Sequence, residues 1–299
     1  MESGQQEEAV HCSVLPEEVL HYLDPRPGGL YVDGTLGLGG HTEAILRRSS
    51  PDGRVIAFEW DEEAIARSRV RLQPFGDRVT IVRRNFAEIG AGLAELGVEQ
   101  VDGVLIDIGL SSLQLDLGGR GFSFKRDEPL DMRMDTRREM TAASLLATCK
   151  EEELADIFFY YGDEKQARPI AREIVRSRFA EKILTSGQLA AVVARAIPRR
   201  FHPEKIHVAT KVFQALRIAV NSELENLARI LEDVPPLLRS GARFCVISFH
   251  SLEDRMVKRK FREQAEMEIL TSRPIMPTDA EIAVNYRSRS ARLRVAVRK

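Results

Sequence analysis

The chain has 299 residues, of which 43% are hydrophobic and 30% are charged, and its formal net charge is -1. This composition is typical of a folded globular protein with room for one large domain or for a domain that carries an insertion. Only three cysteines are present, no apolar run approaches the ~20 residues of a membrane span and the acidic start lacks the form of a signal peptide, so we expect a cytoplasmic protein rather than a disulfide scaffold or a membrane protein.

The first informative stretch is LYVDGTLGLGGH, from Leu30 to His41. Its apolar start suits a buried parallel strand that ends at Asp33, and Thr42 is well placed to cap the helix that follows four glycines. Strand, glycine loop and helix predict a nucleotide-binding turn, because glycines let the backbone approach a ligand and the helix N-terminus offers free N–H groups. The loop fits neither a P-loop, since no lysine follows Gly40, nor the G-x-G-x-x-G pattern of dinucleotide binding. A plain tight turn is the alternative.

Three more apolar strands are predicted, at 54–60, 79–82 and 101–106, with helices between them. The second strand ends in Glu59, about twenty residues beyond the glycines, where a carboxylate can reach ribose hydroxyls from the neighbouring strand. Phe86 follows the third strand and Asp107 the fourth. This alternation predicts a doubly wound α/β sheet whose strand ends line one crevice. Acidic and aromatic groups there favour a ribose-and-adenine ligand without phosphates over NAD.

Beyond Gln114 the alternation stops. A long loop from 116 to 135 is followed by helical patterns, and loops of this length are often functional lids. The patterns predict helices at 142–147, 151–161, 169–179 and 187–197, one long helix at 213–231, a strand at 242–249, a basic helix at 255–266 and a last strand at 292–297. The aromatic run from Phe158 to Tyr161 is predicted to be core. We therefore expect an inserted all-helical domain at 117–212, between two parts of an α/β domain at 1–116 and 213–299.

Positive charge is concentrated in two segments. Twelve basic and three acidic residues lie between Lys165 and Arg217, and six basic residues with no acidic one lie between Arg287 and Lys299. A local basic surplus on a nearly neutral protein predicts a polyanion partner, here RNA. The alternative is a solvated helix face.

Four separated segments carry a resemblance to one known family: DGTLGLGGHT, RGFSFKRDEPLDMRMD, VFQALRIAVNSEL and ISFHSLEDRMVKRKF. In this order they resemble the bacterial 16S ribosomal RNA cytosine-N4 methyltransferases, from about His11 to about Val297. The resemblance implies a class I S-adenosylmethionine-dependent methyltransferase fold, Rossmann-like and doubly wound, with an inserted all-helical domain. It also implies methylation of the exocyclic N4 of a cytidine in the decoding region of 16S ribosomal RNA, with the small ribosomal subunit as partner.

The resemblance further implies which residues bind the methyl donor: Gly39, Gly40, His41, Glu59, Phe86, Asp107 and Gln114. Two departures from the family pattern stand out. The family usually has Asp-x-Asp where this chain has Glu59-Trp60-Asp61, so Asp61 competes with Glu59 for the ribose. Leu113 stands where family members often have a proline, which affects the assignment of Gln114.

Asp107 is the candidate catalytic residue. Together with the backbone carbonyls of Ile108 and Gly109, its carboxylate could hold the hydrogens of the target amine, whose lone pair is otherwise conjugated into the ring. The candidates for contacting the flipped base are three rings, Phe122, Phe124 and His250. No metal is expected, because His11 and Cys12 have no second cluster at ligand spacing. The rival functions are an NAD-dependent oxidoreductase and a non-enzymatic RNA-binding assembly factor.

Overall fold

The computed structural model describes residues 13–109, 119–204 and 206–299. The chain forms two compact units. The α/β unit comprises Met1–Gly109 and Ala228–Lys299, and the helical unit comprises Leu110–Leu227. The domain bounds given by the sequence, with an insertion at 117–212, stay a prediction.

The described residues of the α/β unit contain a seven-stranded sheet. Its strands are β1 (Leu30–Asp33), β2 (Arg54–Phe58), β3 (Val79–Val82), β4 (Val101–Asp107), β5 (Leu238–Ser248), β6 (Met267–Ile269) and β7 (Arg292–Arg298). They lie in the order β3-β2-β1-β4-β5-β7-β6, and β7 runs antiparallel to both of its neighbours while the other pairs are parallel. This confirms the predicted doubly wound sheet, in the arrangement of class I methyltransferases.

Helices connect these strands and make up most of the helical unit. In the described residues they are α1 (Pro16–Leu23), α2 (Gly40–Arg48), α3 (Glu62–Leu72), α4 (Ile89–Glu95), α5 (Ala142–Thr148), α6 (Glu151–Tyr160), α7 (Ala167–Ala180), α8 (Ser186–Ala196), α9 (Thr210–Asn221), α10 (Glu223–Asp233), α11 (Ser251–Glu263) and α12 (Asp279–Val284). No helix in this described part of the chain is long and apolar enough to cross a membrane.

The side on which successive strands are added to the sheet changes at β1. The chain passes from β1 to β2 and β3 on one side and then returns to place β4 on the other, so Asp33 pairs in register with both Ala57 and Leu105. Both neighbours of β1 are parallel to it, and all four of its residues are buried. This agrees with the continuous apolar run in the sequence. A ligand crevice forms at such a reversal, beyond the carboxyl ends of the strands.

The prediction of a single helix at 213–231 is wrong. Ser222 adopts φ 53° and ψ 42°, so α9 ends at Asn221 and α10 starts anew at Glu223. A left-handed residue cannot continue a right-handed helix. The break is supported by a bidentate ion pair between Arg217 and Glu223, at 2.8 Å for each bond.

The aromatic run at the end of α6 is also only partly core. Phe158 is fully buried, whereas Phe159 and Tyr160 are 53% and 61% exposed. Successive helical residues point about 100° apart, so one face cannot bury the whole run. The prediction of four core aromatics was therefore wrong for these two residues.

The loop that precedes α5 is packed rather than open over its described part. Leu130, Met132 and Met134 are buried, and Met132 has a left-handed backbone with φ 60°. The buried side chain of Asn221 holds this loop: its Oδ1 accepts from the Met134 N–H and its Nδ2 donates to the Met132 carbonyl, both at 2.8 Å. The same Nδ2 lies 2.9 Å from the Arg217 carbonyl. Asn221 thus joins the loop to the end of α9.

We predict that Asn221→Ala lowers the free energy of unfolding by about 2–4 kcal/mol, since a buried N–H and a buried carbonyl each lose a partner at a cost of ~1–3 kcal/mol. Urea unfolding of the purified variant measures this. Asn226→Ala is the graded control, because that side chain donates to the Asn221 carbonyl at 3.0 Å and is less buried. Equal losses in the two variants would contradict the role given to Asn221.

Candidate functional site

The site is built on the carboxyl end of β1, where Asp33 is completely buried. Its Oδ1 accepts from the Thr35 N–H at 3.1 Å, and its Oδ2 accepts from the Thr42 hydroxyl at 2.7 Å. Burial raises the pKa of Asp33, while these hydrogen bonds and His41 favour its ionised form. One carboxylate therefore ties the strand end both to the glycine loop and to the first turn of α2.

The glycine loop follows a path that most side chains would obstruct. Gly37 and Gly39 have φ values of 50° and 81°, in the left-handed region that favours glycine. A side-chain carbon on Gly40 would lie 2.1 Å from the Ser13 hydroxyl oxygen. The start of α2 is thus packed closely against Ser13, which leaves no room for a side chain at Gly40. That a ligand approaches the backbone of this loop stays a prediction.

Glu59, at the end of β2, is hydrogen-bonded to this loop. Its Oε2 accepts from the Gly37 N–H at 2.9 Å, and its Oε1 accepts from the N–H groups of Trp60 and Asp61 at 2.9 and 3.0 Å. Desolvation outweighs these bonds and raises the pKa of Glu59 to about 7. Asp61, the rival residue, is the N-cap of α3 and accepts from the Glu63 N–H at 3.1 Å.

Asp107 and His41 meet across the crevice between β1 and β4. The Asp107 Oδ2 and His41 Nε2 are 3.7 Å apart, and the Asp107 Oδ1 accepts from the Gly109 N–H at 3.0 Å. The Asp107 N–H donates to the Thr35 hydroxyl at 2.7 Å, which locks the two strand ends together. Neither buried ring nitrogen of His41 has a hydrogen-bond partner among the described residues. A buried imidazole in this condition suits a polar ligand group.

Phe86 begins a short 3-10 turn after β3, capped by the Asn85 side chain, which accepts from the Ala87 N–H at 3.0 Å. The ring is partly exposed. A side-chain carbon on Gly34 would lie 3.4 Å from the Phe86 Cβ, so Phe86 borders the glycine loop. Of the seven predicted donor-binding residues, Gln114 lies outside the described residues, and the other six lie at or after the ends of β1 to β4.

Sequence reasoning missed Thr35 and Thr42, whose hydroxyls organise the loop. The two threonines that flank the glycines were the available signal. From the sequence, only Thr42 is predicted to have a role, that of capping the helix. The structure gives α2 a Gly39 N-cap instead, and uses the Thr42 hydroxyl to bind Asp33.

The three predicted base contacts all have protein partners. In the helical unit, the Phe124 ring lies 4.4 Å from that of His207, between ring centres, and Phe122 is only 9% exposed. In the α/β unit, the His250 Nδ1 accepts from the Glu253 N–H at 3.5 Å and caps α11. Their roles as base contacts stay a prediction.

The basic run of the helical unit does not present twelve free cations. Arg178 donates to the carbonyls of Leu146 and Cys149 at 2.7 Å each, and Lys211 donates to the Asp163 carbonyl at 2.6 Å. Others lie in ion pairs with acids of the same unit: Arg172 with Glu151, Arg176 and Arg195 with Glu173, and Arg217 with Glu223. The count of charges therefore overstated the surface available to RNA.

Within residues 13–109, 119–204 and 206–299, no group of three or more His, Cys, Asp or Glu side chains could hold a metal ion. The arrangement at the crevice offers instead a glycine cradle, two carboxylates, an imidazole and an aromatic ring. Such a set can bind a nucleoside and move a proton.

A family model described as the MraW methylase family matches residues 8–299 of this chain. Three similar proteins are each named ribosomal RNA small subunit methyltransferase H. The one from Desulfotalea psychrophila is 66% identical, covering 97% of this chain and 98% of that protein. Those from Geobacter sulfurreducens and Citrifermentans bemidjiense are 51% and 50% identical, covering 96% and 95% of this chain and 98% and 97% of theirs.

The raised pKa of Glu59 generates a prediction about stability. A carboxyl group whose folded pKa is about 7, against an ordinary 4.5, contributes stability that is complete below pH 4.5 and lost as pH rises through 7. Glu59→Gln cannot ionise and should lose less stability than wild type between pH 5 and 8. Because Glu59 is partly exposed, we expect a difference of about 1–2 kcal/mol. Urea unfolding at four pH values measures it, and parallel profiles would contradict the raised pKa.

Proposed function

The chain belongs to the MraW methylase family, and from this premise we propose that it transfers a methyl group from S-adenosylmethionine to the exocyclic N4 of a cytidine in the decoding region of 16S ribosomal RNA. Relatives named for methylating the small-subunit RNA support the substrate class. The observation that carries the proposal is the joint position of the glycine loop, Glu59 and Asp107 at one edge of the sheet. The partner is the small ribosomal subunit or its RNA, in the cytoplasm.

The residues at this edge fit S-adenosylmethionine, which supplies an electrophilic methyl group when bound. Glu59 accepts from a ribose hydroxyl with its remaining acceptor capacity, and Phe86 packs on the adenine. Gly39 and Gly40 let the methionine part approach the start of α2, where the buried His41 provides the hydrogen-bonding nitrogens that lack protein partners. The family resemblance adds Gln114.

Asp107 acts on the target amine. Its Oδ1 is fixed by the Gly109 N–H, and its backbone is fixed by Thr35, so the carboxylate is positioned before the base arrives. Oδ2 accepts a hydrogen of the N4 amine, which draws the nitrogen lone pair out of conjugation. The same oxygen then takes the proton that the methylated nitrogen must lose, which leaves the Asp107 carboxyl neutral, and His41 Nε2 lies 3.7 Å from this oxygen.

The cofactor assignment predicts a pH-dependent affinity. Ribose hydroxyls that donate to Glu59 favour its ionised form, so binding must release a proton below pH 7, and affinity for S-adenosylmethionine should strengthen between pH 6 and 8. Glu59→Gln should remove that part of the dependence. Glu59→Ala should weaken binding by ~1–3 kcal/mol, the range of charged hydrogen bonds.

Calorimetry across this pH range measures both effects, with NAD as the competing ligand. Glu62→Ala is the matched control, since that exposed acid pairs with Arg83 on the surface. Unchanged affinity of Glu59→Ala for S-adenosylmethionine would assign ribose binding to Asp61 instead. Binding of NAD in place of S-adenosylmethionine would contradict the cofactor assignment.

If Asp107 acts in the chemical step, its removal should lower the rate of methyl transfer without lowering the affinity for the RNA substrate. Asp107→Ala should lower the single-turnover rate of methyl transfer to small subunits by on the order of 10²-fold or more, the scale of proton-transfer catalysis. RNA affinity should change little. Asp102→Asn is the control, because Asp102 is on the same strand but at its opposite end, paired with Arg239. A near-normal rate in folded Asp107→Ala would remove Asp107 from the mechanism.

A further inference from the structure

The turn Tyr286–Ser290, which precedes β7, carries an exposed aromatic ring beneath an arginine. Tyr286 is 67% exposed, and the guanidinium carbon of Arg289 lies 4.2 Å from the centre of its ring. The same guanidinium donates to the Tyr286 carbonyl at 3.2 Å, so it is held at two points. We call this the Tyr286–Arg289 pair. Exposed aromatic rings beside arginines are the surfaces on which unpaired bases stack.

The turn is fixed from beneath. Ser288 is buried and its hydroxyl donates to the Asn285 carbonyl at 2.8 Å. Ala291 is fully buried and its N–H donates to the Ser288 carbonyl at 2.7 Å. A ligand that binds the Tyr286–Arg289 pair therefore meets a backbone that is already ordered, which lowers the entropic cost of binding.

Strand register locates the turn at the edge that carries Asp107. In the pairing of β5 with β7, Arg292 lies opposite Ser248, and in the pairing of β4 with β5, Asp107 lies opposite Ile247. Neighbouring strands are about 4.8 Å apart, so the start of β7 lies two strands, or roughly 10 Å, from the Asp107 position. The turn that leads into Arg292 thus emerges at the carboxyl edge of the parallel strands.

A second contact ties the same region to the glycine loop. Glu281 of α12, just before the turn, accepts from the Leu15 N–H at 2.8 Å. Two residues earlier, the Ser13 hydroxyl lies against Gly40. The segment that leads into the Tyr286–Arg289 pair is therefore tied to the glycine loop within the α/β unit.

We propose that the Tyr286–Arg289 pair binds an unpaired nucleotide adjacent to the target cytidine, with its base stacked on the face of the Tyr286 ring opposite Arg289. This inference rests on the proposed function. A cytidine that enters the crevice must leave its own stack, and its neighbour then loses a stacking partner that Tyr286 replaces. The exposed cation Arg289 attracts the phosphates on either side.

Steady-state methylation of small subunits isolated from cells that lack this protein tests the proposal. Tyr286→Ala should raise the KM for subunits on the order of 10-fold or more, the range for losing one base–aromatic stack. Tyr286→Phe keeps the ring and should stay near wild type. Arg289→Gln should raise KM by a smaller factor and make RNA binding less dependent on salt.

Tyr160→Ala is the matched control, because this tyrosine of α6 is 61% exposed but packs edge-on against Phe159, with ring centres 5.2 Å apart. Its KM should not change. Affinity for S-adenosylmethionine, measured by calorimetry, should be equal in all variants, and a loss in Tyr286→Ala would mean that the ring only supports the fold and would overturn the inference.

Failure of the proposed function and failure of this inference give different results. If wild-type protein methylates neither subunits nor free 16S RNA, the proposed function fails. If wild type is active and Tyr286→Ala matches Tyr286→Phe in KM, only the inference fails. If Tyr286→Ala raises the KM for subunits but binds free 16S RNA as tightly as wild type, the pair contacts a ribosomal protein instead. That result would also overturn the inference.

Discussion

The buried carboxylate of Asp33 is the interaction on which the site depends. A carboxyl group removed from water is tolerated only where hydrogen bonds replace its hydration, and here the Thr35 N–H and the Thr42 hydroxyl do so. Those two bonds set the course of the chain on leaving β1. Thr35 then presents its hydroxyl to the Asp107 N–H, so the position of β4 at the crevice follows from the same acid.

Glu59 holds the glycine loop and is also the proposed ribose-binding residue. Three of its roughly four acceptor positions are taken by the N–H groups of Gly37, Trp60 and Asp61. The glycine loop is therefore held in shape before anything binds, and a ribose must use the remaining acceptor capacity. Pre-organisation of this kind reduces the ordering that binding would otherwise require.

Local patterns in the sequence were sufficient to predict the sheet and to bring the candidate site residues to one of its edges. Continuous apolar runs ending in Asp33, Glu59 and Asp107 predicted parallel strands and a shared crevice, because strand burial and side-chain order depend on neighbours in the chain. The break at Ser222 could not be predicted in this way. It is stabilised by Asn221 bonding to Met132 and Met134, residues about ninety positions earlier. The Tyr286 turn was recognised only as positive charge, since exposure of a ring is decided by packing.

The position of β7 between β5 and β6 has a consequence for biosynthesis. Both strands that flank β7 leave the ribosome before it does. Until β7 emerges, β6 therefore has no strand to pair with, and β5 exposes one row of backbone N–H and C=O groups. The parallel half of the sheet can form first, and the antiparallel half closes only when residues 292–298 arrive. Ala291, the buried residue that ends the Tyr286 turn, directly precedes β7, so a newly made chain completes the strands of its cofactor crevice before the turn that carries the proposed nucleotide surface.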